Sequence, residues 1–336
     1  MPVSAHQRIV LLGKTGVGKS SIANLLTKDN VFEVNHSAGS GTSKCKTKST
    51  TVSGRSITVI DTPGFFDTNM NKDELKEEIL RCMIESSPGP HVFLILLKVD
   101  KYTEEEKAVI KQISKLFSEE SFRFAAVVFT RGDQLPEGQR IEEFVDQTDD
   151  LRDLVKKCGG RCHVIDNKYW KKPQDDYRNN EVQVAELFKT IDKIIEEKNG
   201  GYYTNKMLQK VEEQIAEEEQ LIRESSGNLT EDEIREQAKE TTLKKLLIIS
   251  GATVGGALLG ILCGVIAVAA APALPVGATL AVGATVGLTA AGTTATAVLK
   301  RAKILDTIRE VFVYANDVFN SHAGYHRMPQ EREHQS

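Results

Sequence analysis

Three short stretches carry residue types at spacings suited to phosphate and purine chemistry. The first is Gly13-Lys14-Thr15-Gly16-Val17-Gly18-Lys19-Ser20-Ser21, with the spacing G-x-x-x-x-G-K-S. Glycines at 13, 16 and 18 let the backbone curl until successive N–H groups point at one anion, with a helix N-terminus behind them. At this spacing Lys19 reaches the β and γ phosphates and the Ser20 hydroxyl reaches a magnesium ion. The second is Asp61-Thr62-Pro63-Gly64. Its carboxylate suits the magnesium shell, and its glycine brings a bare N–H to a γ-phosphate. The third is Thr130-Arg131-Gly132-Asp133. A carboxylate there accepts from both N1–H and N2–H of guanine, which adenine, with an acceptor at N1, cannot match. Together these residues point to GTP or GDP held with magnesium, and to a switch GTPase.

The elements that must position them are legible around them. Ile9 to Leu12 form an apolar strand that stops at Gly13, and SSIANLLT after the loop has helical apolar spacing. The runs RIVLL, ITVID, HVFLILL, FAAVVFT and RCHVID then alternate with helical stretches. That alternation predicts an α/β domain over 8–200, with a mainly parallel sheet and helices on both faces. A chain of 336 residues has room for two domains. Its formal net charge of −4 gives no electrostatic reason to expect a nucleic-acid partner. The cysteines at 45, 82, 158, 162 and 263 form no CxxC pair, so neither a zinc site nor a disulfide framework is expected. MPVSAHQR lacks the apolar core of a signal peptide, and the soluble part is expected in a reducing compartment.

Past the α/β part the composition changes twice. Residues 201–245 are charged and helical, with a break at Ser-Ser-Gly-Asn followed by a capping box, Thr230-x-x-Glu233. Residues 246–299 contain no charged residue. Leu246 to Ala271 would exceed the roughly 30 Å bilayer core as a helix at about 1.5 Å per residue, and Pro272 and Pro275 interrupt the run. A membrane-inserted helical hairpin fits this pattern, and a soluble helical pair is the alternative. Basic residues at 244, 245, 300, 301 and 303 would place both flanks, and the G domain with them, on the cytosolic face of an intracellular membrane. Residues 300–336 hold an amphipathic helix through Ile304, Ile308, Val311, Ala315 and Val318, then a polar tail.

GKTGVGKSS, IDTPGFFDT, KYTEEE, FTRGDQL and CGGRCHVIDN occur in this order over roughly residues 8 to 200. In this the chain resembles the GTPases of immunity-associated proteins, the GIMAP family of septin-like G domains. The resemblance implies GTP and GDP binding with magnesium and GTP-dependent pairing, as a homodimer or a hetero-oligomer with related GTPases. It also implies membrane attachment through the C-terminal part in some members. By the same resemblance Gly13 to Ser21 form the phosphate loop and Thr42 is the switch threonine. Asp61 and Gly64 report on magnesium and γ-phosphate, Arg131 to Asp133 read the base, Asn167 lies in the last nucleotide-contacting loop, and Val34 lies where the chain passes the nucleotide. Phe65 stands where a Ras-like GTPase carries a water-orienting glutamine, which predicts slow hydrolysis. Lys101 stands where active members carry an arginine thought to act across the dimer, and it supplies charge without the planar fork. It reads equally as a solvated residue before a helix capped at Thr103. Trp170 reads as a partly buried loop aromatic, or as a ring near the guanine. The functions these features imply are a membrane scaffold or switch at an organelle surface, a turnover GTPase, or a membrane-perturbing effector.

Overall fold

The computed structural model of the chain describes residues 6–34, 44–64, 72–167, 169–170, 177–225 and 227–252. Among them a six-stranded sheet runs in the order β2-β3-β1-β4-β5-β6. The strands are β1 (Gln7–Leu12), β2 (Lys46–Val52), β3 (Arg55–Asp61), β4 (Val92–Lys98), β5 (Ala125–Thr130) and β6 (Cys162–Val164). Only β2 is antiparallel to its neighbour, with Lys46 opposite Asp61 and Val52 opposite Arg55. The other pairings are parallel. Parallel strands are covered on both faces, which explains why β1, β4 and β5 read as nearly continuous apolar runs.

Alternate residues of these strands feed two separate cores. On one face Ile9, Leu11, Val59, Leu94, Leu96 and Val128 pack with α1 (Lys19–Thr27) and α6 (Asn180–Glu197). On the other, Val10, Leu12, Phe93, Ile95, Val127 and Phe129 pack with α2 (Lys72–Ser86), α3 (Glu104–Phe117), α4 (Ile141–Val145) and α5 (Asp149–Lys157). β1 lies between β3 and β4, so the loops leaving β1 and β3 open side by side at one end of the sheet. That end, beyond the carboxyl ends of parallel strands, is where an open α/β sheet binds ligands.

The charged helices join this second core. Met207, Leu208, Val211 and Ile215 of α7 (Lys206–Ser225) and Ala238, Leu243 and Leu246 of α8 (Glu231–Ala252) are buried in it. Their charged faces are used as well. Arg235 binds Glu212 at 2.9 Å, Glu219 at 2.7 Å and the Ser87 carbonyl at 3.3 Å, while Lys239 reaches Glu85 at 3.3 Å. Half-buried networks of this kind fix one docking geometry more than they add stability. Thr230 accepts from the Glu233 N–H at 3.3 Å and its own N–H donates to the Glu233 carboxylate at 2.8 Å, the capping box expected there.

The start of the uncharged run completes α8, and Leu246 is 3% exposed against the core. No helix of the described residues is long and apolar enough to cross a membrane. The rest of the expected hairpin, 253–299, and the amphipathic tail, 300–336, lie outside the described residues, as do Thr42 and Phe65.

Candidate functional site

The phosphate loop is a tight turn between β1 and α1, and its geometry depends on glycine. Gly18 has φ +102°, in the left-handed region that L side chains rarely adopt, and a side chain there would meet the Asn167 amide at 2.8 Å. At Gly13, also at positive φ (+149°), a side chain would strike the Leu96 carbonyl at 2.6 Å. Lys19 is 5% exposed and folds back over the loop, its ammonium donating to the Gly13 carbonyl at 2.9 Å and the Lys14 carbonyl at 3.1 Å. Ser21 continues the first turn of α1, and Val17 packs beneath the loop with 4% exposure. Lys14 points away toward α3 and forms an ion pair with Glu105.

Asp61 ends β3 fully buried, and its Oδ2 accepts from the Ser20 hydroxyl at 2.6 Å. Burial pushes the Asp61 carboxyl above the ordinary carboxylate range, while the Ser20 hydrogen bond and then the Lys19 charge oppose that push. Its second oxygen, Oδ1, has no partner among the described residues, and neither do the Thr15 hydroxyl and the Asn167 side-chain oxygen. Buried polar atoms in native proteins are mostly paired, and three of the seven left unpartnered among the described residues gather around this one loop, a place that a polar ligand completes. Ser20 and Asp61 are the pair of oxygens that a magnesium ion uses when phosphate and water supply the rest of its octahedron. Among the described residues no cluster of three or more His, Cys, Asp or Glu could hold a metal without such help.

The base-reading turn follows β5. Thr130 is buried and its hydroxyl donates to the Val17 carbonyl at 2.7 Å, which ties this turn to the phosphate loop. Arg131 is exposed in the left-handed region with φ 60°. The Asp133 carboxylate accepts from Gln134 Nε2 at 2.5 Å, and its backbone N–H points at Asp166 Oδ2 at 3.4 Å. Burial, and then the neighbouring Asp166 carboxyl, raise Asp133 above its ordinary value. Asp166 is 1% exposed and braces the next loop by accepting from the Tyr169 and Trp170 N–H groups. Asn167 closes that loop over Gly18.

Trp170 is not a half-exposed loop aromatic. It is 2% exposed, and its ring lies directly under Gly132, leaving no room for a side chain there. It supports the base-reading turn from below. Lys101 is exposed on the loop between β4 and α3, its N–H bonded to Asp100 Oδ1 at 2.7 Å. The capping box Thr103–Glu106 begins α3 just after it, as the residue types suggest. Lys101 also lines a cavity of about 500 Å³ with Lys14, Lys98, Tyr102 and Phe129, which places it beside the phosphate loop. Lys98 is lowered from its ordinary value by burial first, then by the Arg131 and Lys14 charges, while Glu106 and Asp100 oppose that shift. Val34 is exposed in the segment after α1, and no described contact connects it to the loop.

The structure therefore brings together Gly13 to Ser21, Asp61, Gly64, Arg131 to Asp133 and Asn167. Sequence reasoning quoted Thr130 within the base-reading tetrapeptide without giving it a role, and it missed Asp166 as part of the site. The Thr130 bond to Val17 joins residues far apart in the chain, and nothing local marks Asp166.

Comparison with known proteins gives the family. The model of the AIG1 family matches residues 7–223. The chain is 32% identical over 243 residues to Immune-associated nucleotide-binding protein 8 of Arabidopsis thaliana, covering 70% of this chain and 67% of that protein. It is 32% identical over 197 residues to GTPase IMAP family member 8 of Rattus norvegicus, covering 58% of this chain and 28% of that protein. Among solved structures it is similar to Toc33 of Arabidopsis thaliana in complex with GDP and Mg2+, at 23% identity and a TM-score of 0.45, over 56% of this chain and 84% of that one.

Proposed function

The chain belongs to the AIG1 family, and from that premise we propose that it is a guanine-nucleotide switch that holds GTP or GDP with magnesium and pairs in the GTP state. The carrying observation is the Ser20–Asp61 hydrogen bond of 2.6 Å with Asp61 Oδ1 left unpartnered beside the Lys19 side chain. It is the arrangement of a site built for a metal-bound phosphate chain. In this reading the backbone of 13–21 and Lys19 take the phosphates, Ser20 and Asp61 hold magnesium, and Asp133 reads guanine. Bound magnesium supplies charge neutralisation of the phosphates. Thr42 completes the magnesium shell and Gly64 the γ-phosphate contact, as the resemblance to the family implies.

The output of the switch is a scaffold at a membrane surface. Nineteen uncharged residues, 253–271, separate the end of α8 from Pro272, a length of roughly 28 Å as a helix, close to a bilayer core. Hydrolysis is slow on its own, because Phe65 cannot orient water and Lys101 lacks the fork of an arginine.

The test uses the full chain. Lys19→Ala and Ser20→Asn each abolish tight GTP binding while the thermal melt stays near that of the parent, since the apolar sheet is untouched. Undiminished GTP affinity in both variants removes the phosphate-loop assignment. Sedimentation with GDP against a non-hydrolysable GTP analogue tests pairing, which fails if the two give the same mass. Pelleting from carbonate-washed membranes tests attachment, and recovery of the chain in the soluble fraction rejects it.

A further inference from the structure

We propose that Thr15 is the residue with which this chain distinguishes GTP from GDP, its side-chain hydroxyl donating to the terminal phosphate. The assignment rests on the nucleotide-binding reading above and adds a side-chain role within a loop whose other phosphate contacts come from the backbone and Lys19.

Two elements converge on Thr15. It is the third residue of the phosphate loop, and its hydroxyl is shielded from solvent with no hydrogen-bond partner among the described residues. Gly64 lies against it from the other side. A side chain at 64 would fall 2.9 Å from the Thr15 backbone nitrogen and closer still to its hydroxyl oxygen. The segment carrying Gly64 is not free to drift. The Thr62 hydroxyl donates to the Leu11 carbonyl at 2.6 Å, and Asp61 is bonded to Ser20, so 61–64 is anchored to both β1 and α1. The Thr15 hydroxyl and Gly64 therefore meet at the mouth of the loop, and the Lys19 ammonium is held on the carbonyls of Gly13 and Lys14, the two residues just before Thr15.

The chemistry of that point favours an anionic oxygen. A buried hydroxyl without a partner is an unfavourable arrangement that native structures keep where a ligand completes it. A threonine hydroxyl against the glycine of D-x-x-G, with an ammonium on the same loop, offers donors that suit a phosphate oxygen. The glycine N–H of D-x-x-G is the group that approaches a γ-phosphate, and the inner phosphates are taken by the loop amides farther along. A nucleotide ending at the β-phosphate has no atom to give Thr15, so the hydroxyl contributes to GTP affinity and leaves GDP affinity alone. Uniform contacts cannot separate the two nucleotides, and this one can.

The experiment titrates the full chain, with magnesium, against fluorescent GDP and a fluorescent non-hydrolysable GTP analogue. The readout is the ratio of the two affinities, which does not depend on turnover. Thr15→Val keeps the shape and removes the hydroxyl, and should weaken the GTP analogue by about tenfold while changing GDP by less than about twofold. Thr15→Ser keeps the hydroxyl and should preserve the parent ratio. Thr15→Ala supplies a second hydroxyl-free variant should valine disturb folding. An unchanged ratio in the hydroxyl-free variants, whether both affinities hold or both fall together, overturns the proposal. A parent chain that binds neither nucleotide overturns the nucleotide reading itself, a result distinct from binding both with no dependence on Thr15.

Discussion

Gly132→Ala tests whether the base-reading turn is held by the tryptophan beneath it. A Cβ at 132 would stand 2.5, 2.7 and 2.9 Å from Cη2, Cζ2 and Cζ3 of Trp170. Carbon atoms in contact prefer roughly 3.5–4.0 Å, so turn and ring must separate by about 1 Å. The ring has nowhere inexpensive to go. Trp170 is 2% exposed, its N–H donates to Asp166 Oδ1 at 3.3 Å, and its carbonyl accepts from the Asn180 N–H at 3.3 Å. Overpacking of a well-packed site costs roughly 1–3 kcal/mol, and each kcal/mol lowers the melting temperature by about 2–4 °C in a domain of this size. The turn moves with the clash and carries Asp133 away from the guanine edge. A misplaced pair of charge-assisted hydrogen bonds weakens guanine-nucleotide binding by about tenfold or more. Thermal melts and titration with fluorescent GDP measure the two effects. Trp170→Leu removes the atoms that clash, so the double variant should lose less than the sum of the single losses, with a coupling of roughly 0.5–3 kcal/mol. Strictly additive losses, or a Gly132→Ala chain that melts and binds like the parent, refute the reasoning.

Three other outcomes follow from the same geometry. Asp133→Asn should shift preference from guanine toward xanthine nucleotides, because the amide cannot accept from both guanine donors, and competition between GTP and xanthosine triphosphate reads the shift directly. Lys101→Arg should raise single-turnover hydrolysis more at high protein concentration than at low, and Lys101→Ala should remove any concentration dependence this contact supplies. Equal rates in all three chains exclude Lys101 from the chemistry. His91 is lowered to about 3 from its ordinary 6.5, by burial first and then by the Arg8 charge, and its Nδ1 accepts the Arg8 N–H at 2.9 Å. The unfolded chain then binds the extra proton, so stability is fully present above about pH 6.5 and falls as pH drops toward 3, with roughly 2–3 kcal/mol lost by pH 4.5. Denaturant melts of His91→Gln should show a shallower loss over that window, and a slope matching the parent's excludes His91 as its source.

Much of the site was legible because its chemistry is local. A strand, a glycine turn and a helix start within thirteen residues, from Ile9 to Ser21, specify a phosphate cradle whatever lies around them. Asp61 and Asp133 could be assigned because the first ends an apolar strand and the second lies in the turn just after one, and a parallel strand announces itself by being buried on both faces. β2 escaped notice for the converse reason. KTKSTTV lies at the sheet's antiparallel edge, where little burial is demanded and no apolar pattern is written.

The remainder depends on residues far apart in the chain. That Thr130 grips Val17, that Asp166 stands beside Asp133, and that Trp170 fills the space under Gly132 are facts of how β1, β5 and the loop after β6 lie side by side. The charged helices show the same division most plainly. Their amphipathic spacing declares that one face of α7 and of α8 is to be buried, but apolar surface is attracted to any apolar surface without direction. Only the assembled sheet, with α2 exposing a matching face and Ser87 and Glu85 placed to receive Arg235 and Lys239, decided that the surface they cover is the G domain's own.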